Sequence, residues 1–254
     1  MMRFTPQMQN LNWLIEKPIA HRGLHAEKTG VVENCESAFA AAIKYGYSIE
    51  CDIELTKDGQ AVVFHDDEID RLLEGKGMVK SFTTKELKKK KYRQGKEQIQ
   101  TLSELLEQVN GRTTLVIEIK SLWDDDMTLT LRAIDVLADY NGAYSLMSFD
   151  PHLIACIAEN SPATVRGITA DRVTDSYYNN LPQARRLEMQ SFSHLPLTKP
   201  HFISFDAKGL PFGLVEEIRG RGHPVICWTI RSPEQAAQAL RHSDQITFEN
   251  YFPA

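Results

Sequence analysis

The chain alternates strand-like runs with helical stretches, and this order constrains its fold more than any other feature. Short apolar runs rich in β-branched residues recur along the sequence, and segments with helical spacing and capping signals separate them. Strands that alternate with helices predict right-handed crossovers and a parallel sheet. The eight core runs centre near residues 19, 51, 117, 146, 166, 203, 227 and 246.

Eight such units in 254 residues match the size of a TIM (β/α)8 barrel, which is the fold that we predict. The structural alternative is a doubly wound open sheet. Such a sheet usually carries a glycine-rich fingerprint after its first strand, whereas the first run here opens into His21-Arg22-Gly23. We expect one domain over residues 1–254. Residues 66–100 contain no core strand, so we expect them to form a short insertion between strands 2 and 3.

Composition argues against several classes of protein. The formal net charge of −5 disfavours general nucleic-acid binding. The four cysteines show no paired spacing, which indicates buried thiols in a reducing compartment and not a disulfide framework. Residues 1–20 lack the continuous apolar run of a signal peptide, and no run is long enough to span a membrane. We therefore expect a cytoplasmic protein without stable membrane insertion.

An acidic hairpin over residues 48–66 carries the first candidate site. Its first half alternates strictly, with Glu50 and Asp52 on one face and apolar residues on the other. Thr56-Lys57-Asp58-Gly59 then predicts a tight turn, and so short a connection makes the return arm antiparallel. His65, at the end of that arm, should therefore come back beside the two carboxylates. For this stretch alone, an amphipathic hairpin with a solvated acidic face is the alternative interpretation.

Three carboxylates are predicted to face one cavity at the carboxyl ends of the strands. Glu50 and Asp52 lie on strand 2, and Glu118 lies near the end of strand 3. Carboxylates that are buried together repel one another, and a cation between them removes that cost. All-oxygen ligands suit a hard ion, so the sequence predicts a Mg²⁺ or Ca²⁺ site without deciding between the two.

Cationic and titratable side chains are expected at the same end of the barrel, where the carboxyl ends of the strands meet. Arg22 after strand 1 and Lys120 after strand 3 suit a phosphate, since arginine can grip two oxygens at once. Histidine side chains can titrate near neutral pH, so one of His21 and His65 could accept a proton from an attacking hydroxyl while the other donates to the leaving oxygen. A metal, a phosphate clamp and two histidines together predict phosphodiester cleavage.

A set of short motifs occurs in a fixed order along the chain. The motifs are His21-Arg22-Gly23, Glu33-Asn34, Glu50-x-Asp52, Thr56-x-Asp58-Gly59, His65-Asp66, Glu118-x-Lys120, Ser148-Phe149 and Trp228-Thr229. In this order they resemble the pattern of the glycerophosphodiester phosphodiesterase family, over roughly residues 18 to 248. The resemblance implies a TIM barrel with an inserted segment between the second and third strands.

The resemblance also implies a reaction and roles for individual residues. The reaction is metal-dependent hydrolysis of a small glycerophosphodiester to sn-glycerol 3-phosphate and an alcohol, with a histidine pair as general acid and base. The resemblance implies a divalent metal on Glu50, Asp52 and Glu118, and acid/base roles for His21 and His65. It also implies that Arg22 and Lys120 hold the phosphate and that Trp228 lines the glycerol or alcohol pocket.

The chain departs from the family pattern at three places. Val32 stands where the family usually has proline, Arg231 stands where it often has asparagine, and the last strand ends in Glu249-Asn250 instead of Thr-Asp-x-Pro. None of these positions belongs to the expected metal or histidine set. They concern the specificity for the alcohol part of the substrate. Arg231 either contacts an anionic headgroup or is an exposed arginine at the start of a helix. Glu33 and Asn34 are expected to brace the first loop and Arg22 rather than to do chemistry.

Two other functions use similar residues. Phosphatidylinositol-specific phospholipases and sphingomyelinase D-type enzymes share the histidine pair and the acidic strand, but a lipid-cleaving enzyme should expose an apolar rim or carry a lipid-binding segment. Residues 67–100 are mostly charged, which does not favour such an enzyme. A non-catalytic phosphate-binding barrel should lack a histidine or a carboxylate, and none is missing. The sequence names neither the alcohol nor the oligomeric state.

Overall fold

A computed structural model of the chain describes residues 10–26, 30–174 and 176–253. Within these residues, nine strands form a single sheet. The strands are β1 (Ile19–Ala20), β2 (Ser48–Leu55), β3 (Ala61–Val63), β4 (Leu115–Ile119), β5 (Tyr144–Ser148), β6 (Arg166–Ala170), β7 (Phe202–Asp206), β8 (Val225–Ile230) and β9 (Gln245–Phe248).

Helices alternate with the parallel strands, as the sequence predicts. They are α1 (Asn12–Ile15), α2 (Glu36–Tyr45), α3 (Thr84–Leu87), α4 (Leu102–Val109), α5 (Thr128–Leu137), α6 (Pro151–Asn160), α7 (Gln183–Ser191), α8 (Leu195–Thr198), α9 (Gly213–Gly220) and α10 (Pro233–Ala239). Short 3₁₀ turns span Val79–Ser81, Ser176–Asn180 and Ala207–Gly209. Among the described residues, no helix combines the length and the apolar character that crossing a membrane requires.

The sheet closes into a barrel. Along it the strands follow the order β1, β9, β8, β7, β6, β5, β4, β2, with β3 beyond β2, and β1 pairs in parallel with both β9 and β2. All the pairings in this ring are parallel, whereas β3 joins β2 in antiparallel register as the return arm of a hairpin. The predicted TIM barrel is therefore confirmed, and the open doubly wound sheet is excluded by the β1–β2 pairing.

An apolar plug fills the barrel below its mouth, and we call it the barrel floor. Its buried members are Leu14, Ile19, Val116, Met147, Val165, Phe202 and Ile226. Most of them lie near the amino ends of their strands, and Leu14 comes from α1, which covers this end of the barrel. Each fully buried side chain of this size contributes roughly 1.5–3 kcal/mol of burial free energy. The floor thus closes one end and leaves the carboxyl ends of the strands as the open mouth.

The segment between β3 and α4 packs against the hairpin through its own apolar cluster. That cluster contains Cys35, Val62, Phe64, Ile69, Leu73, Val79, Leu87, Tyr92 and Ile99. The short helix α3 begins at a capping box in which Thr83 and Glu86 bond reciprocally, and α4 begins in the same way at Thr101 and Glu104. This segment adds no strand to the barrel.

Candidate active site

The turn after β1 carries the first two candidate residues over the mouth. The His21 N–H donates to the Phe248 carbonyl at 2.9 Å, which ties the turn to β9. Arg22 and Gly23 both adopt positive φ, 55° and 76°. A Cβ on Gly23 would lie 2.9 Å from the carbonyl carbon of Ala38. Both the backbone conformation and the lack of space therefore require glycine at this position.

Glu50 and Asp52 on β2 meet Glu118 on β4, and we call these three residues the carboxylate cluster. Asp52 and Glu118 are direct partners in the parallel register of the two strands. One carboxylate oxygen from each of the three residues lies within 4.8 Å of the other two. All three side chains are buried. The structure thus brings together the residues that the sequence predicts as metal ligands.

Both predicted phosphate-binding residues contact the carboxylate cluster. Lys120 Nζ donates to Glu118 Oε1 at 2.8 Å and lies 3.4 Å from Asp52 Oδ1. The Arg22 backbone N–H donates to Glu50 Oε2 at 2.9 Å. The Arg22 guanidinium approaches the cluster as well, with Nε 3.4 Å from Asp52 Oδ2. Two cations therefore compensate part of the charge of three buried carboxylates.

The pKa shifts in the carboxylate cluster indicate that the two cations compensate its negative charge incompletely. Burial, reinforced by the charges of Asp52 and Glu118, raises the pKa of Glu50 well above its ordinary value. Burial acts in the same direction on Asp52, but its cationic neighbours, Lys120 foremost, outweigh it and hold the pKa of Asp52 below its usual range. The excess of negative charge at Glu50 is what a bound cation would neutralise.

The donor set of the carboxylate cluster fits a hard divalent cation. Its three donors are carboxylate oxygens, which Mg²⁺ and Ca²⁺ prefer, and they converge closely enough to share one ion. Zn²⁺ more often recruits histidine or cysteine, and neither residue type belongs to the cluster. Glu50, Asp52 and Glu118 are thus the residues that could hold such an ion, with water completing its coordination.

Glu54 lies on the same face of β2 as Glu50 and Asp52. Burial raises the pKa of Glu54 to about 8. Its carboxyl group is not one of the three whose oxygens lie within 4.8 Å of one another, so Glu54 does not extend the cluster to a fourth ligand.

The hairpin returns His65 to the carboxylate cluster. The two arms pair in antiparallel register, and the Phe64 N–H donates to the Asp52 carbonyl at 3.0 Å. His65 follows directly and is near enough to lower the pKa of Asp52. Its Nδ1 lies 2.7 Å from Asp66 Oδ1, so the next residue in the chain orients the ring. The predicted return of His65 to the acidic strand is confirmed.

Arg71, in the insertion, links the two sides of the mouth, and sequence analysis missed it. Its guanidinium donates to both oxygens of Asp66 at 2.7 and 2.9 Å and to both oxygens of Glu33 at 2.9 and 2.6 Å. Glu33 Oε1 also accepts from Arg22 Nη1 at 2.7 Å. A chain of charged contacts therefore runs from His65 to Arg22. No motif marks Arg71, because it lies in a segment without strand or helix periodicity.

Asn34 contacts the carboxylate cluster directly. Its side-chain Nδ2 donates to Asp52 Oδ2 at 2.9 Å, and the Asp52 N–H donates to Asn34 Oδ1 at 3.3 Å. The Asn34 backbone N–H bonds to the Arg22 carbonyl at 2.9 Å. The expected bracing of the first loop is therefore present in the backbone. The side chain instead holds Asp52, a contact that the motif alone did not reveal.

Glu249 contacts His21, and sequence analysis assigned it no role. His21 Nδ1 lies 2.9 Å from Glu249 Oε2, and Arg231 Nε donates to Glu249 Oε1 at 2.5 Å. The other ring nitrogen, His21 Nε2, lies 4.0 Å from Glu50 Oε2. Burial lowers the pKa of His21, although the bond to Glu249 opposes this. The position of Glu249 in the sequence could have indicated this contact. Glu249 directly follows β9, and β9 pairs with β1, the strand that precedes His21.

Trp228 lies on the opposite, apolar side of the mouth. It belongs to β8 and packs edge-to-face against Phe149, which directly follows β5, with ring centroids 5.6 Å apart. Within the described part of the chain, the buried Trp228 Nε1 has no hydrogen-bond partner. The two aromatic rings form a wall that can contact an apolar part of a ligand, and the indole N–H remains available as a donor.

Comparisons with known proteins agree with this geometry. Residues 21–244 match the model of the glycerophosphoryl diester phosphodiesterase family. Glycerophosphodiester phosphodiesterases of Caldanaerobacter subterraneus subsp. tengcongensis and Bacillus altitudinis are 44% and 39% identical over 113 and 111 residues, about 41% of this chain. In both cases the matched stretch spans 44% of the relative's own length.

Solved structures share the fold at lower sequence identity. An Oleispira antarctica phosphodiesterase, solved in complex with the product sn-glycerol-3-phosphate, superposes with a TM-score of 0.76 at 21% identity, covering 92% of each chain. A glycerophosphodiester phosphodiesterase from Thermotoga maritima gives a TM-score of 0.69 at 23% identity and covers 91% of this chain and 92% of that one.

Proposed function

The chain belongs to the glycerophosphoryl diester phosphodiesterase family, and from this membership we propose that it hydrolyses glycerophosphodiesters to sn-glycerol 3-phosphate and an alcohol. One observation carries the proposal: three buried carboxylates, two cations and two histidines meet at one barrel mouth. The product bound to the Oleispira antarctica relative is consistent with the same substrate class. The rest of the proposal assigns a task to each group.

In the proposed mechanism, Glu50, Asp52 and Glu118 hold one divalent cation, either Mg²⁺ or Ca²⁺. Such an ion, when bound, would neutralise charge that develops on the phosphate oxygens. The raised pKa of Glu50 supports this assignment, because it reports negative charge that the protein's own cations leave uncompensated. Asn34, through its bond to Asp52 at 2.9 Å, fixes the orientation of one ligand.

Arg22 and Lys120 are the proposed phosphate-binding residues. Both side chains lie at the carboxylate cluster, so a phosphate bound beside the cation would be within their reach. Glu33 accepts a hydrogen bond from one nitrogen of the Arg22 guanidinium, and this bond orients the guanidinium. Lys120 remains charged, since Glu118 and Asp52 raise its pKa despite burial. Charge-assisted bonds from two such cations stabilise a phosphate more than neutral donors would.

His21 is the proposed general base. Burial lowers its pKa, so the ring is neutral near pH 7. If Nδ1 carries the ring proton and donates a hydrogen bond to Glu249, then Nε2 has a free lone pair. This nitrogen lies on the side of Glu50 and can accept a proton from the attacking hydroxyl. His65 is the proposed general acid. Its Nδ1 lies 2.7 Å from Asp66 Oδ1, so Asp66 orients the ring and Nε2 is the nitrogen that would protonate the leaving oxygen.

Trp228 is the proposed wall of the glycerol or alcohol pocket. Its ring and that of Phe149 supply an apolar surface, and its unpaired N–H could donate to a hydroxyl. The non-catalytic alternative gains no specific observation, since both histidines and all three carboxylates are present. The lipid-cleaving alternative would use the same residues and gains no support from the mostly charged residues 67–100. We therefore retain the glycerophosphodiesterase assignment alone, for a single domain that spans the chain.

The test is a coupled assay for sn-glycerol 3-phosphate released from a series of glycerophosphodiesters that differ in the alcohol. The purified protein should release it from at least one of them with Mg²⁺ or Ca²⁺ present. Asp52→Asn supplies the background, because it removes a ligand charge at nearly constant shape. Failure to release it from every member of the series, by folded protein supplied with both metals, would refute the proposal. Release of a phosphorylated alcohol instead would identify cleavage on the other side of the phosphate.

A further inference from the structure

A second group of potential ligands lies beside the carboxylate cluster, on the other edge of His21. His21, His25 and Glu249 each bring one ligand atom within 4.8 Å of the other two. His21 Nδ1 lies 2.9 Å and His25 Nε2 3.6 Å from the same carboxylate oxygen, Glu249 Oε2. Two nitrogens and an oxygen converge here, whereas the carboxylate cluster contains oxygens alone.

The spacing of these atoms matches the first coordination shell of Zn²⁺. Zinc binds histidine nitrogen and carboxylate oxygen at about 2.0–2.2 Å in a tetrahedron, which separates neighbouring ligand atoms by about 3.3 Å. The separations of His21 Nδ1 and His25 Nε2 from Glu249 Oε2, 2.9 and 3.6 Å, lie on either side of that value. Adjustments of a few tenths of an ångström would therefore suffice, and a fourth position would remain for water.

His25 supplies an independent indication that this site takes a ligand. Its Nε2 is buried and has no hydrogen-bond partner among the residues that the structure describes. A buried polar atom without a partner lowers the stability of the folded state. A cation between His25 and Glu249 would satisfy this nitrogen, which lies too far from Glu249 for a good hydrogen bond.

Arg231 prepares the carboxylate for such an ion. It donates to Glu249 Oε1 at 2.5 Å, which leaves Oε2 turned toward the two histidines. The pKa of Glu249 lies below its ordinary value, because the bond to His21 and the charges of His21 and Arg231 outweigh burial. The carboxylate is thus ionised and oriented, as a metal ligand must be.

We propose that His21, His25 and Glu249 form a second cation site, which binds Zn²⁺ and inhibits the enzyme. The donor set separates the two sites, since nitrogen ligands select Zn²⁺ whereas the carboxylate cluster suits Mg²⁺ or Ca²⁺. A zinc ion on His21 Nδ1 replaces the bond to Glu249. With Nε2 then carrying the ring proton, the imidazole has no nitrogen left to accept another. The binding stands independently of the proposed activity, whereas the inhibition rests on it.

Calorimetric titration of the full chain with Zn²⁺, in saturating Mg²⁺, tests the binding. The wild-type protein should bind one zinc ion per chain, and His25→Ala and Glu249→Gln should each weaken binding at least about 100-fold, since they remove ligands outright. His242→Ala is the matched control, because His242 also pairs with a glutamate, Glu216, at 2.8 Å but belongs to no three-ligand group among the residues that the structure describes. Asp52→Asn should leave zinc binding intact.

Two results would overturn the zinc site. One is equal affinity of wild-type and His25→Ala protein for Zn²⁺, with thermal melts showing both folded. The other is zinc binding that Mg²⁺ displaces and Asp52→Asn abolishes, which would assign the ion to the carboxylate cluster. For inhibition, turnover in Mg²⁺ should be similar in wild-type and His25→Ala protein, and added Zn²⁺ should suppress it only in the wild type. Equal suppression of both would contradict the proposed mode of inhibition, whereas absence of turnover in both would instead concern the proposed function.

Discussion

The two ends of the barrel interior use the same strands for opposite purposes. At the mouth, inward positions carry Glu50, Asp52 and Glu118, which need compensating cations and polar partners. At the floor, inward positions carry apolar side chains such as Val116 and Phe202, which are buried against one another. The floor contributes stability through burial, whereas the mouth gathers like charges at a cost in stability.

A single strand shows how depth in the barrel decides this chemistry. Val116 and Glu118 lie two positions apart on β4 and therefore share a face. Val116 belongs to the floor, whereas Glu118 pairs in register with Asp52 at the mouth. Because groups assembled at a cost in stability are typical of active sites, we expect changes at the mouth to affect turnover and changes at the floor to affect folding.

Neutralising a carboxylate at the mouth should have the largest effect. Asp52→Asn and Glu118→Gln remove ligand charge, and a metal supplies several kcal/mol to the transition state, so we expect kcat/KM to fall about 10⁴-fold or more. Thermal unfolding should show both variants folded. Asp139→Asn, which changes an exposed carboxylate two residues after α5, is the control and should keep native turnover. Near-native kcat/KM in Asp52→Asn would remove the basis for placing the chemistry at this end.

The two histidines should rank next. His21→Ala and His65→Ala should each lower kcat about 10²- to 10⁴-fold through loss of proton transfer. The double variant should lose less than the product of the single losses, because groups that act together are not additive. The pH profile of kcat/KM should be bell-shaped in the native enzyme and lose one limb in each single variant. Fully multiplicative losses would argue that the two rings act in separate steps.

Truncating a side chain of the barrel floor should have the opposite effect, lowering stability and leaving turnover unchanged. Phe202 is fully buried, so Phe202→Ala should lower the free energy of unfolding by about 3–5 kcal/mol while kcat/KM per folded molecule stays near native. Leu197→Ala, on an exposed part of α8, should change the unfolding free energy by less than about 0.5 kcal/mol. Denaturant unfolding followed by an activity assay on the folded fraction measures both. A selective loss of turnover in Phe202→Ala would break the division between the two ends.

Acid sensitivity should also arise outside the mouth, at His194 before α8. Burial lowers the pKa of His194 from 6.5 to about 4, so the unfolded chain binds more protons than the native one between these values. Stability from this group is complete above pH 6.5 and is lost as the pH falls toward 4, by roughly 3 kcal/mol in total. His194→Gln should flatten this part of the stability curve. An unchanged slope in His194→Gln would locate the acid sensitivity elsewhere.

The barrel and the carboxylate cluster could be predicted from sequence because both follow from periodicity. Strict alternation along β2 identifies Glu50 and Asp52 as neighbours on one face, and the short turn brings back His65. The alternation of strands and helices then determines which carboxyl ends meet. Each of these inferences uses contacts that are local in sequence or dictated by the order of the strands.

The contacts that sequence analysis missed join distant segments through side chains. Arg71 reaches Glu33 across 38 positions, and Glu249 reaches His21 across 228. Neither residue lies at a position that periodicity distinguishes, since one is in an irregular insertion and the other follows the last strand. Such pairs depend on how far long side chains extend over the mouth, and a pattern of apolar residues carries no information about that.

Metal titration of the mouth tests the central claim most directly. Exhaustively chelated wild-type protein should release no sn-glycerol 3-phosphate. Stepwise addition of Mg²⁺ should then restore turnover in proportion to the calorimetrically measured occupancy of one site. Asp52→Asn should lose the binding and the turnover together, whereas Phe202→Ala should retain both in its folded fraction. Full turnover in the chelated protein, or magnesium binding that survives in Asp52→Asn, would contradict the account.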